Sequence, residues 1–395
     1  MTKTTQYKNT PIGQIPKDWE VKEFSEFVEL SKVKYTTKSD ENLKCLELEH
    51  FNQETGSING WVDSSGQKST KNKFIKGQVL FGKLRPYLKK YWLAEFDGVC
   101  SSEVWVLNSK SKICNNEFLF RLIQSNEFIQ VSNVSSGSKM PRADWNYVST
   151  FPFPIPPLPE QQKIAEVLSI WDKAIQKTDA IIKKLEERNK GLAFSLLTGK
   201  KRVKGFEGEW KKHKLDYFFE EYKKKPNENS ELPVFTSSKN GLMNQSDYYS
   251  GGRISSREDV DYNILPNGFI TYRSRSDDGL FTFNKNNTEM DGLISGYYPV
   301  FKVVNGNDDF FLCYLNLFKR KLTKYSTGTS QLVLSFKALK LVSFLLPSME
   351  EQNAIAEILN TANQELKHYQ NKLEALKQQK KGLMQQLLTG KVRTI

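Results

Sequence analysis

The sequence predicts an α+β fold in which one unit is used twice. Two mixed α/β domains are each followed by a long helix, and the helices pair as an antiparallel coiled coil in a pseudo-two-fold internal duplication. Three observations predict it. First, "EQQKIAEVL" at Glu160 returns as "EQNAIAEIL" at Glu351 with six of nine letters kept, and "LLTGK" at Leu196 returns at Leu387, both at an offset of 191 residues. Second, each copy runs through strand formers and turns into a proline-bearing connector before its helix. Third, both helical segments carry an apolar heptad.

Taken in order, residues 1–15 form an N-terminal tail, and "MTKTTQYKNTPIGQ" lacks the apolar core of a signal peptide. Residues 16–157 form the first domain. Trp19 in "KDWEVKEF" has its counterpart in Trp210 of "GEWKKHKL", Gly77 in Gly268, "SSGS" at Ser135 in "STGT" at Ser326, and "FDGVCS" at Phe96 in "MDGLIS" at Met290. The connector "FPFPIPPLP" leads into the first helix, residues 158–200, with Pro159 suited to a first turn and Gly199 to a C-terminal cap. Residues 201–347 form the second domain and end in the shorter connector "LLPSM". The second helix, residues 348–395, opens on a capping box of Ser348 and Glu351 and closes on Gly390. A domain that receives the chain from one helix and delivers it to the next does so most easily with adjacent termini, which makes the helices antiparallel.

Each helix could pack as an ordinary amphipathic helix on its own domain, but paired helices would share one register. Ile164, Trp171, Thr178, Leu185 and Leu192 take one of the two seam positions, and Leu168, Ile175, Ile182, Asn189 and Leu196 the other. In the second helix Ile355, Ala362, Tyr369, Leu376 and Leu383 take the first, with Leu359, Leu366, Leu373, Lys380 and Leu387 at the second. In an antiparallel pair a faces d, and partners whose numbers add to 551 satisfy every layer. Asn189 then faces Ala362, and Lys380 faces the ring of Trp171.

Composition narrows the function. Lys and Arg outnumber Asp and Glu by 58 to 45, a net charge of +13 with a pI near 9.2, which favours an anionic partner, nucleic acid first. The four cysteines and three histidines form no ligand-spaced cluster, so no metal site is expected and a reducing cytoplasm is. No apolar run is long enough to span a membrane. There is no phosphate-binding loop, no glycine-rich nucleotide fingerprint and no Asn-Pro-Pro-Tyr motif, so neither a catalytic residue nor a bound cofactor is expected.

Basic and aromatic loops stand where catalysis is missing. "FGKLRPYLKKYW" offers Lys83, Arg85, Lys89 and Lys90, interleaved with Tyr87, Tyr91 and Trp92, as groups for phosphates and flat surfaces. Its counterpart "YRSRSDDGLF" keeps Arg273 and Arg275, and "GGRISSR" adds Arg253 and Arg257. A second pair of loops supplies Ser138, Lys139 and Arg142 in one copy and Thr329, Ser330 and Gln331 in the other. These side chains have the donors and acceptors that read base edges. Each basic run also has a plain reading as a solvated strand or turn.

With "IPKDWEVKEF" and "GFEGEWKKHKL" opening the units, "PPLPEQQKIAEVL" and "PSMEEQNAIAEIL" opening the helices and "LLTGK" closing both, the whole chain resembles the specificity subunits of type I restriction–modification systems. The resemblance implies two target-recognition domains that each read half of a split double-stranded DNA site. It also implies a helical spacer that docks two DNA adenine methyltransferase subunits, joined by motor-nuclease subunits for restriction. S-adenosylmethionine, ATP and magnesium are then expected in those partners only. The second connector lacks the double proline of the first, and the domains match the family only in outline, so base-reading residues are not carried over. Two rivals from other classes are a sequence-blind protein scaffold, which binds all duplexes alike, and a tandem RNA-binding module, which prefers single strands.

Overall fold

The computed structural model describes residues 6–36, 42–134, 140–227, 230–248 and 261–394. The chain divides into two compact units, one of residues 1–180 with 370–395 and the other of residues 181–369. The two long helices, Leu158–Leu197 and Met349–Leu388, are antiparallel, and each contributes to both units. Among the described residues no helix is long and apolar enough to cross a membrane.

In the first unit, strand Glu20–Glu23 at the head of the globular part pairs antiparallel with Pro152–Ile155 at its end. That pairing delivers the chain directly to the start of the first long helix. Between them lies a four-stranded sheet in the order Tyr91–Leu93, Val79–Gly82, Val104–Ser109, Val28–Leu30. A mixed five-stranded sheet runs Lys34–Tyr35, Lys71–Phe74, Gly98–Cys100, Lys44–Leu46, Val62–Asp63. Helices Asn116–Leu122 and Asn126–Ser132 begin at Asn115 and Ser125, whose side chains accept from the N–H groups of Phe118 and Phe128. They cover a core built on Phe24, Phe27, Phe81, Phe118, Phe128 and Phe153.

The second unit repeats this plan. Lys211–Lys214 pairs antiparallel with Ser343–Leu346, the same two positions 191 residues on. Its four-stranded sheet runs Phe219–Glu221, Val300–Val303, Ile270–Tyr272, Phe283–Lys285. Helix Asp308–Leu317 is capped by Asn307, the counterpart of Asn115.

The repeated "EQ" that opens both long helices has a buried task in each unit. Glu160 is fully buried, and its carboxylate accepts from Trp19 Nε1 at 2.8 Å and from Arg393 Nε and Nη2 at 2.7 and 2.8 Å. Glu351 is 1 % exposed and accepts from Trp210 Nε1 at 3.1 Å and from Arg202 at 2.7 and 2.6 Å. The glutamine beside each satisfies the connector: Gln161 Nε2 donates to Pro156 O at 2.8 Å, and Gln352 Nε2 to Pro347 O at 3.1 Å. Their carbonyls accept from the N–H groups of Asn115 and Asn307, which lead the capped helices. The repeated Glu therefore makes a clasp between the start of one long helix and the end of the other, since Arg202 and Arg393 follow the two "LLTGK" caps. Gly199 and Gly390 both take φ of 70°, the left-handed turn that ends a helix. The capping box expected of Ser348 and Glu351 forms only in half. Ser348 Oγ accepts from Glu351 N, but the Glu351 carboxylate is committed to Arg202 and Trp210.

Candidate nucleic-acid interface

The first unit brings its two sequence-selected loops into one edge. Leu84 and Arg142 form a β-bridge, Arg85 N donates to Pro141 O at 2.8 Å, and Ala143 N donates to Lys83 O at 2.9 Å. Lys83 N in turn donates to Glu103 O, so three separated segments meet there. Arg85 is exposed and left-handed at φ 52°, and Lys89 closes the short Pro86–Leu88 turn at φ 50°. Such backbone on non-glycine residues is strained, and a surrounding structure must hold it. Tyr87 at the tip is 50 % exposed. The ammonium of Lys89 pairs with Glu54 at 2.7 Å, and that of Lys90 donates to Leu48 O at 2.7 Å. Arg142 is exposed, and its Nε donates to Glu103 Oε2 at 3.1 Å. Ser138 and Lys139 lie outside the described residues.

Two aromatics of this loop are not at the edge. Tyr91 and Trp92 are each 3 % exposed, because strand Tyr91–Leu93, outermost in the four-stranded sheet, sends the two rings into separate hydrophobic cores. Burial also holds the Tyr91 hydroxyl protonated, well above its usual range.

The second unit pairs its corresponding loops in the same way. Arg275–Ser276 and Leu332–Val333 form a two-stranded ladder, and Leu334 N donates to Ser274 O. A tight turn from Thr327 to Val333 presents Thr329 and Ser330 to solvent. Gly328 is required there: its φ is 105°, and a Cβ would lie 2.4 Å from Gln331 O. Gln331 Nε2 donates to Asp277 Oδ1 at 2.9 Å. Arg273 and Arg275 are exposed, and the Arg275 guanidinium lies 4.7 Å from the ring centre of Tyr297, which is 66 % exposed. Asp278 is held well below the usual carboxylate range, first by its Lys239 partner and then by the Ser276 hydroxyl. Arg253 and Arg257 lie outside the described residues.

Sequence reasoning does not point to Glu103 or Tyr297, and it gives Asp277 no role. Asp277 stood in plain view as a break in basic character. Glu103 and Tyr297 sit in turns that precede strands Val104–Ser109 and Val300–Val303, and nothing in their local sequence links them to the loops.

The long helices supply a second feature. Ile164, Leu168, Ile182, Leu185, Ile355, Leu359 and Leu387 are buried, and Trp171, Ile175, Leu192, Leu366, Tyr369, Leu373 and Leu376 half-buried. In the second unit Asn189 Nδ2 donates to Ala362 O at 2.9 Å, and Arg188 pairs with Glu365 at 2.7 Å. In the first unit Lys380 does not rest on the Trp171 ring. Its ammonium pairs with Asp172 at 2.5 Å and donates to Gln124 Oε1 at 3.1 Å, while Asp172 also holds Arg121. A carboxylate one residue on outcompetes a ring face, because a buried ammonium needs a counter-charge and an acceptor. Burial lowers the Lys380 pKa, against the raising effect of Asp172. Among the described residues no His, Cys, Asp and Glu group is arranged to hold a metal.

Comparison with known proteins places these features in a family. The profile of the type I restriction modification DNA specificity domain matches residues 16–187 and again residues 207–378. The EcoDI specificity subunit of Escherichia coli is 33 % identical over 162 residues, 40 % of this chain and 36 % of that relative. The chain thus spans about a third of that relative's length. The putative MjaX specificity subunit of Methanocaldococcus jannaschii is 25 % identical over 99 % of this chain and 97 % of its own. Among solved structures, a chain from work on complex assembly and conformational transition of the type I R-M system aligns with TM-score 0.58 and 17 % identity, covering 96 % of this chain and 99 % of its own. The type I restriction–modification S subunit from M. genitalium aligns with TM-score 0.58 and 15 % identity over 94 % and 96 %. These last two likenesses concern the fold.

Proposed function

The chain belongs to the type I restriction modification DNA specificity family as a non-catalytic specificity component, and from that premise we propose that it reads a split site in double-stranded DNA. The observation that carries this reading is the repeated loop pair. Residues 83–85 join 141–143 in one unit and residues 275–276 join 332–333 in the other, each with exposed arginine and an exposed aromatic ring at the edge. Residues 16–157 and 201–347 serve as the two target-recognition domains, and residues 158–200 and 348–395 as the spacer.

Lys83, Arg85, Arg273 and Arg275 face phosphates in this reading, Lys89 and Lys90 join them by exchanging Glu54 and the Leu48 carbonyl for a phosphate, and Arg142 and Gln331 face bases. The spacer docks two DNA adenine methyltransferase subunits, and motor-nuclease subunits join through them in the cytoplasm. S-adenosylmethionine, ATP and magnesium work in those partners.

Exchanging residues 16–157 for another recognition domain tests the division of labour. One half of the methylated site should change and the other stay, as read by genome-wide adenine-methylation mapping. A simultaneous change in both halves defeats the modular reading. Equal affinity for random and target duplexes favours a sequence-blind scaffold, and preference for single-stranded RNA favours an RNA module.

A further inference from the structure

In each unit the side chain best placed to read a base is held by a carboxylate from a neighbouring segment, and the way it is held decides which base it fits. Arg142 is 52 % exposed and gives its Nε to Glu103 at 3.1 Å. The Glu103 backbone is fixed beneath the loop, its carbonyl accepting from Lys83 N and its N–H facing Ser101 Oγ. With Nε engaged, the guanidinium plane is set and its two terminal amino groups form a donor-only fork. That fork matches two adjacent acceptors, the O6 and N7 of guanine in the major groove. A phosphate also offers two acceptors, but it carries a full negative charge, which the nearby Glu103 carboxylate disfavours more than it does a neutral base edge. The carboxylate therefore turns Arg142 away from the backbone of the duplex and toward a base edge.

Gln331 is likewise held by a carboxylate, through the donor end of its amide. Asp277 has no proton to give when ionised, so the Gln331 amide must present its NH2 to it, as the 2.9 Å contact shows. One N–H is consumed, and the amide cannot flip. What remains is the carbonyl oxygen and the second N–H. This pair matches the exocyclic amine and N7 of adenine, and the oxygen alone matches the amine of cytosine. Guanine and thymine present an acceptor where the Gln331 oxygen lies, and are rejected.

We propose that Glu103 and Asp277 are specificity-determining residues that act through Arg142 and Gln331, so that the first unit requires a guanine and the second a base with an exocyclic amine, adenine meeting both groups. This assignment rests on the proposed reading of duplex DNA by both units.

The test uses the full chain expressed with its methyltransferase partner, and maps methylated adenines genome-wide. A wild-type protein that yields no split site defeats the DNA-reading function and this assignment with it. Given a split site, Arg142→Ala should relax a guanine in one half, and Gln331→Ala an adenine or cytosine in the other. Discrimination at that position, measured on purified complex with single-base duplex variants, should fall roughly ten- to hundredfold. Relaxation at any other base, or a uniform loss across all duplexes, overturns the assignment. The near-isosteric Glu103→Gln and Asp277→Asn variants guard against folding defects, checked by thermal unfolding. Glu103→Gln should tighten binding to random duplex by removing the anion, and Asp277→Asn should let the Gln331 amide flip and admit guanine or thymine. If both variants keep wild-type discrimination and random-duplex affinity, Glu103 and Asp277 have no part in specificity.

Discussion

Arg85 and Lys89 combine an unusual backbone conformation with a proposed contact to DNA. Both adopt left-handed φ, a conformation that glycine takes at no cost and other residues do not. Arg85→Gly therefore removes the cation while keeping the turn. Binding should weaken on every sequence, and the slope of log affinity against log salt should fall by about one. Thermal stability should hold or rise slightly, since the strain leaves with the side chain. A sequence-dependent loss would make Arg85 a base reader instead. Residue by residue, the candidate loops were only partly legible. Charge and turn chemistry located both loops, yet alternation along "LKKYW" does not reveal that Tyr91 and Trp92 turn into separate hydrophobic cores. Glu103 lies 39 residues from Arg142 and is brought to it by a strand pairing that no local pattern encodes.

At the scale of elements, the two clasps and the polar contacts onto the long helices set how each globular part is held. Arg202→Ala leaves the Glu351 carboxylate buried with only the Trp210 N–H, and breaking such a pair from one side should cost about 2 kcal/mol or more. Hydrogen exchange should show the loss in residues 181–369 first. Equal loss of protection in both units would mean that they unfold together. A pH dependence belongs here as well. Burial pushes the Asp309 carboxyl up, but hydrogen bonds from Lys285 and Asn360 outweigh it and lower its pKa below 3.8. A folded pKa below the unfolded one contributes stability that is present above 3.8 and lost as pH falls through the folded value. Asn360→Ala removes one bond, so the folded pKa rises and acid unfolding should begin at a higher pH. An unchanged acid transition would show that Lys285 alone holds the carboxylate. The helices themselves were the most legible part of the chain, because a 3.5-residue apolar period survives without knowledge of partners. The periodicity found Asn189 opposite Ala362, a contact the structure makes. It could not find Asp172 for Lys380, since the carboxylate sits one position off the seam and shares its cation with Gln124 and Arg121 from the globular part.

The whole molecule is organised by two helices of 40 residues that each begin in one unit and end in the other. At about 1.5 Å per residue each is roughly 60 Å long, more than one turn of duplex at roughly 34–36 Å. A duplication that keeps its helices alike while its candidate loops diverge is what the proposed spacing of two half-site readers requires. The register on which this depends can be tested first. Ile175→Cys with Leu376→Cys, whose numbers add to 551, should crosslink efficiently under mild oxidation, while Ile175→Cys with Leu366→Cys, which a parallel pair would favour, should not. The reverse result would defeat the antiparallel register. Given the register, one heptad added to both helices, between residues 180 and 181 and between residues 369 and 370, preserves every a–d layer and lengthens each helix by about 10 Å. That is about three base pairs of rise at roughly 3.4 Å each. The methylated site should then keep both half-sites and gain a wider gap between them. One heptad in a single helix should instead break the layers and abolish methylation. A gap that stays constant when both helices are lengthened would show that spacing is set by the partner subunits, and that the repeated helix serves only to dock them.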